Sequence, residues 1–197
     1  MDRETETVTI DARPEPIDVE LGKTAGLVVD MQNDFGAKGG MFERAGIDIT
    51  PIQQVVAPIG RVLAFARKAG MKVIYLKMEH RPDLSDAGGP DSPHRRKHRP
   101  LAVGEPVPTP DGGESRILIR DTWNTAIVTG CTTSVCVEST IRDAMYRDYS
   151  CVLLADCTAE PVGQGLLRTN HDASLLVVQT LFGWVSTSDK LALALSG

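Results

Sequence analysis

Two side chains stand where their surroundings point to chemistry. Cys136 follows the apolar run Ala126–Gly130 (AIVTG) and the small hydroxylic residues Thr132, Thr133 and Ser134, and it opens a stretch with helical periodicity. A strand, a tight turn and a helix are the expected order, with Cys136 in the first helical turn. Backbone N–H groups there lack intrahelical partners, and together with the helix dipole they favour an anionic sulfur. The expectation is a thiolate nucleophile, with the same N–H groups available to an oxyanion formed when a carbonyl is attacked. Asp30 closes a second apolar run, AGLVVD, and a carboxylate at a strand end suits proton transfer. Each residue also has a plainer reading, Cys136 as a packing residue and Asp30 as a helix cap or ion-pair partner. Cys131, Cys151 and Cys157 read as core residues, and Asp156 as structural.

The elements that position these groups form an α/β pattern. Ala25–Asp30 reads as a buried parallel strand, and Ile52, Val55, Val56, Ile59, Val62, Leu63 and Ala66 mark a core-facing helix that stops at Gly70. Lys72–Lys77 (KVIYLK) completes a β-α-β unit. Two further strands are expected at Ala126–Gly130 and Cys151–Asp156, joined by a helix from about Ser134 to Tyr149 with Val137, Ile141, Ala144 and Met145 on its apolar stripe. A helix near Asp172–Leu181 and an apolar tail, LALALSG, follow; a polar arm precedes the first strand. In such sheets ligands bind outside the carboxyl ends of the strands, which brings Asp30 and the Cys131–Cys136 segment to one edge.

One stretch breaks the pattern. Arg81–Glu114 holds seven of the twelve prolines, which reads as a long loop, and Ser115–Trp123 adds at most a short strand. No amphipathic helix lies between Lys77 and Ala126 to carry a parallel crossover. A β-α element is therefore missing near residues 125–126 of what is otherwise one domain spanning residues 1–197. Either the sequence as read omits that element or the protein lacks it. The otherwise intact motifs favour omission, and an intact mass above 21.3 kDa would establish it.

Composition narrows the function classes. With 42% hydrophobic and 24% charged residues in 197, the chain is built for one globular core. A net charge of −5 without a basic face argues against nucleic acid and against an anionic membrane surface. The longest apolar runs are far too short to span a bilayer. The four cysteines follow neither metal spacing nor a disulfide framework, which fits reduced thiols and a cytoplasmic location.

DMQNDF at Asp30–Phe35 and TGCTTSVCVESTIRDA at Thr129–Ala144 resemble the isochorismatase-like cysteine hydrolases, and the likeness runs over nearly the whole chain. The resemblance implies a three-layer α-β-α fold around a mostly parallel sheet, with a strand-end Asp, a Lys and a helix-start Cys as catalytic triad. Asp30 and Cys136 match; the lysine has no counterpart. Lys77 ends an earlier strand, where relatives do not carry it. Oxyanion binding by the backbone N–H groups of Thr132 and Cys136 is implied as well, with a cis peptide just before Thr132.

GGMFERAG at Gly39–Gly46, AGGPDSP at Ala87–Pro93 and FGWVS at Phe182–Ser186 resemble ureidoacrylate amidohydrolases. HRPDL at His80–Leu84 and Gln179 before LFG resemble biuret and triuret hydrolases. The expected activity is a cysteine amidohydrolase cleaving a C–N bond of a biuret- or triuret-type compound, with ammonia released through an acyl-enzyme. Ureidoacrylate is the alternative substrate. Gln179 is the candidate substrate-binding residue, against a plain reading as helix-surface glutamine. Met78-Glu79-His80 does not reproduce the metal ligands of the nicotinamidase branch, so no metal and no other cofactor is expected. The basic cluster His94–Arg99 reads as a solvated loop, or else as a guide for a carboxylate-bearing substrate. Relatives imply a homodimer or homotetramer. Two rivals remain: an inactive ligand-binding homologue, if the lysine element is truly absent, and a thiol redox protein using Cys131 and Cys136, whose spacing is unusual for a dithiol.

Overall fold

The computed structural model describes residues 6–78, 125–163 and 169–196, with the isolated positions 81, 85, 88–93, 96 and 167. His80, His94, His98, the strand expected at 115–123 and the rest of the 81–114 stretch lie outside the described residues. The polar arm is more structured than expected. Side chains alternate in TVTI and IDVE, so Thr7–Ile10 (β1) and Ile17–Glu20 (β2) pair as an antiparallel hairpin that buries Ile10, Ile17 and Val19. Four-residue strands among acidic residues are too short for that alternation to stand out in the sequence.

Thr24–Val29 (β3) is buried on both faces, as befits a central parallel strand. Asn33–Gly36 (α1) and Met41–Arg44 (α2) are short helices leading to Thr50–Lys68 (α3). Helix α3 starts with Pro51 in its first turn and buries Ile52, Val55, Ile59, Val62 and Ala66. Burying each of the isoleucine and valine side chains contributes roughly 1.5–3 kcal/mol. Val56 is 56% exposed, off the expected stripe. The helix stops, as expected, at Gly70, whose φ of 76° suits glycine.

Lys72–Leu76 (β4), Thr125–Cys131 (β5), Ser150–Ala159 (β6) and Trp184–Ser186 (β7) join β3 in one parallel sheet of order β4-β3-β5-β6-β7. After β5 come a wide π-type turn, Thr133–Val137, and Glu138–Met145 (α4). This helix ends four residues before the expected Tyr149, because the chain reverses through Asp148 at φ 64°. Asn170–Val177 (α5) is capped by Thr169, whose hydroxyl accepts the Asp172 N–H at 3.1 Å, and it widens into a second π-type turn at Val178–Phe182. The LALALSG tail supplies Ser188–Ala194 (α6), whose first turn binds Asp156, so that carboxylate is structural as expected.

Successive strand residues face opposite layers. Val28, Ile127, Val152 and Leu154 pack with α3, α6 and the hairpin; Val29, Val128 and Leu153 pack with Ile141 of α4 and with Val178 and Phe182. The fold is the expected three-layer α-β-α arrangement. None of the described helices is long and apolar enough to cross a membrane.

Candidate active site

The sheet order reverses direction at β3: β4 lies on one side of it and β5 on the other. Ligands of open α/β sheets bind in such a crevice. Val29 and Gly130 are register partners, so the two strands end level. Their close approach needs glycine, since φ at Gly130 is 119° and a Cβ there would lie 2.1 Å from the Val29 carbonyl oxygen. One residue further on, the Cys131 thiol donates to the Asp30 carbonyl at 3.3 Å. The Cys131–Thr132 peptide bond is cis, as the resemblance implied.

Asp30 adopts φ 51°, an uncommon region for a residue with a side chain, and its backbone is tied on both sides. Its N–H donates to Leu76 at 3.0 Å and its carbonyl accepts the Gln32 N–H at 2.8 Å. The Gln32 amide clasps the end of β4, accepting the Met78 N–H at 2.7 Å and donating to the Met78 carbonyl at 3.0 Å. The Met78 N–H also hydrogen-bonds Asp30.

On the β5 side, Thr132 is extended and its carbonyl accepts both the Val135 N–H at 3.1 Å and the Val137 N–H at 3.2 Å. Cys136 thus sits in the first turn, as expected, though the turn is wider than an α-helix. Its thiol hydrogen-bonds the Asp30 carboxylate, and the Thr132 N–H is directed at the same sulfur. Asp30, Thr132 and Cys136 therefore converge. Of the four cysteines Cys136 alone is not buried, and Cys131, Cys151 and Cys157 belong to the core as expected.

The electrostatics correct one expectation. Burial pushes the Cys136 thiol up from 9.0 to about 12, helped by the hydrogen bond to Asp30 and by its charge. The Thr132 N–H pulls it down and the charge of Glu160 raises it further. Desolvation and an adjacent carboxylate outweigh the helix start, so the resting sulfur keeps its proton and offers it to Asp30. Burial likewise raises the Asp30 carboxyl above 3.8, countered in part by the Cys136 thiol and the Met78 N–H. Among the described residues no lysine is one of the groups that shift either partner. Lys77 is exposed, just beyond β4.

Glu160 and His171 were not foreseen. Glu160, 3% exposed, accepts the Ser134 N–H at 2.7 Å and the Val162 N–H at 2.9 Å. His171 Nδ1 lies 3.1 Å from the Thr133 hydroxyl, and burial lowers its pKa, with Asp172 and Glu160 opposing. Their signals were faint: an acid ending an apolar strand before Pro161, and a histidine two residues past a helix cap. Gln179, half-buried, lies in the second π-type turn.

Residues 24–190 match the isochorismatase domain. The chain belongs to the isochorismatase family. It is 33% identical to the ureidoacrylate amidohydrolase RutB of Methylorubrum extorquens over 228 positions, covering 96% of this chain and 89% of the relative. The RutB of Stutzerimonas stutzeri is also 33% identical, over 93% of this chain and 87% of its own. A crystal structure of a cysteine hydrolase from Pseudomonas syringae pv. phaseolicola superposes with a TM-score of 0.69 at 26% identity, covering 100% of this chain and 99% of that one. As an isochorismatase-family protein related over nearly its full length to amidohydrolases, the chain is a hydrolase acting on amide C–N bonds. The Methylorubrum alignment spans 228 positions against the 197 residues here, so at least 31 positions of that relative have no counterpart.

Proposed function

We propose that the chain hydrolyses a C–N bond of a small ureido acid of the ureidoacrylate type, with Cys136 as nucleophile and Asp30 as the group that takes and returns the proton. The observation that carries this reading is the Cys136 thiol held between the Asp30 carboxylate and the Thr132 N–H. As sulfur attacks the ureido carbonyl, its proton passes to Asp30, and the Thr132 and Cys136 N–H groups receive the oxyanion. The C–N bond then breaks, the departing nitrogen takes the proton from Asp30, and an acyl-thioester remains on Cys136. Water, deprotonated by Asp30, attacks that thioester and frees the thiol. No metal or cofactor enters these steps.

The substrate follows the relatives named for ureidoacrylate, whose similarity extends over most of both chains. The relatives described above are named for ureidoacrylate and not for biuret or triuret, which favours ureidoacrylate over the biuret and triuret reading. An ammonia- and carbamate-release panel with ureidoacrylate, biuret, triuret, nicotinamide and N-carbamoylsarcosine tests the proposal. Turnover of ureidoacrylate, abolished in Cys136→Ser, is expected; turnover of nicotinamide alone would overturn it.

One observation favours a second reading. With no lysine among the described groups acting on the pair and the thiol pushed up to about 12, a ligand-binding homologue without turnover is the rival. Ureidoacrylate binding by calorimetry with no product release would select it. A homodimer or homotetramer is part of the proposal, checked by light scattering.

A further inference from the structure

The Glu160 carboxylate accepts two backbone N–H groups at the edge of the active site. Cys131 and Ala159 are register partners on the adjacent strands β5 and β6, so Glu160 leaves the sheet level with Thr132. From there it crosses to the nucleophile turn, where one oxygen accepts the Ser134 N–H at 2.7 Å while the other accepts the Val162 N–H at 2.9 Å. Ser134 lies midway between Thr132 and Cys136. We propose that Glu160 is a positioning residue that fixes the 132–136 turn, and with it the sulfur and the oxyanion-binding N–H, without touching substrate.

The geometry explains which N–H groups remain for the reaction. The Val135 and Val137 N–H groups are taken by the Thr132 carbonyl and the Ser134 N–H by Glu160, while the Thr132 N–H faces sulfur. Releasing Ser134 would let the turn rotate and give the developing oxyanion a competing donor in the wrong place. A shift of about 1 Å at such a site costs on the order of 100-fold in rate. The Glu160 charge also opposes ionisation of Cys136, which keeps the thiol protonated before attack.

The inference rests on Cys136 being the nucleophile, and the test separates the two. Glu160→Ala and Glu160→Gln are made in the full chain. Each is measured for melting and near-UV circular dichroism, for kcat and KM on ureidoacrylate, and for the pH profile of Cys136 alkylation by iodoacetamide, located by peptide mass. Glu160→Ala should lower kcat about 10- to 100-fold with KM changed less than about threefold. Glu160→Gln, whose single amide oxygen can still accept the Ser134 N–H while its NH2 faces the Val162 N–H, should recover part of the kcat lost in the alanine variant. Both should shift the alkylation profile to lower pH.

A folded Glu160→Ala with parental kcat, a Glu160→Gln as impaired as the alanine variant, or an unchanged alkylation profile in the glutamine variant overturns the inference. If the parent turns over no ureido compound, the substrate reading fails and the alkylation profile still judges Glu160. If the alanine variant does not fold, the profile of the glutamine variant decides.

Discussion

Replacing Asp30 with asparagine should drive two properties of Cys136 in opposite directions. The thiol stands at about 12 against an ordinary 9.0, so at pH 8 about one molecule in 10,000 carries a thiolate, where an unperturbed thiol would have about one in ten. A more basic thiolate is more nucleophilic, and a Brønsted slope of about 0.45 returns roughly 20-fold of that 1,000-fold deficit. Iodoacetamide should therefore alkylate Cys136 about 50-fold more slowly than a free cysteine at pH 8. The Asp30→Asn substitution removes the charge and weakens the acceptor that, after burial, raise the thiol most, so alkylation should speed up. Amide hydrolysis should fall by about 100- to 10,000-fold, because the proton acceptor is gone. Cys131, Cys151 and Cys157 are buried, and Cys136→Ser serves as the control for them. If Asp30→Asn slowed alkylation as well, or if the parent alkylated like a free thiol at neutral pH, Asp30 would be stabilising a resting thiolate and the reasoning would be wrong.

Four further outcomes follow from the geometry. Because burial raises the folded-state carboxyl of Asp30, the native protein binds the extra proton, and stability falls as pH rises from about 3.8 through that raised value. Asp30→Asn should then melt higher than the parent at pH 7, with the difference vanishing below pH 3.8 in melts taken across pH. His171 behaves oppositely: its lowered folded-state pKa means that stability is lost as pH falls below 6.5, and His171→Gln should blunt that loss. Gln32→Ala leaves the Met78 N–H and carbonyl unpartnered by that side chain and should cost about 1–3 kcal/mol in urea unfolding, with a lower kcat. Gly130→Ala, strained at φ 119° and clashing with Val29, should cost at least about 3 kcal/mol or prevent soluble expression.

Strands β3, β5 and β6 were legible because they are apolar on both faces, β4 as a short apolar run after Gly70, and helix α3 because its stripe runs for about four turns before that glycine. The hairpin and β7 were not, since strands of three or four residues carry too few alternations to register. Asp30 and Cys136 were readable from strand-end and helix-start placement, and DMQNDF and TTSVC made them specific. The protonation of the thiol was not readable, because desolvation depends on packing that spacing does not encode. Glu160 is hard to read for a related reason: the Ser134 and Val162 groups that donate to it are backbone N–H groups, which leave no trace in side-chain patterns.

The level ends of β3 and β5 have an evolutionary implication. Acid and thiol are carried by neighbouring strands that bond directly to each other, so their separation is set by the β3–β5 register and not by the length of chain joining the strands. A relative whose connection between these two strands differs in length can therefore keep acid and thiol in the same register.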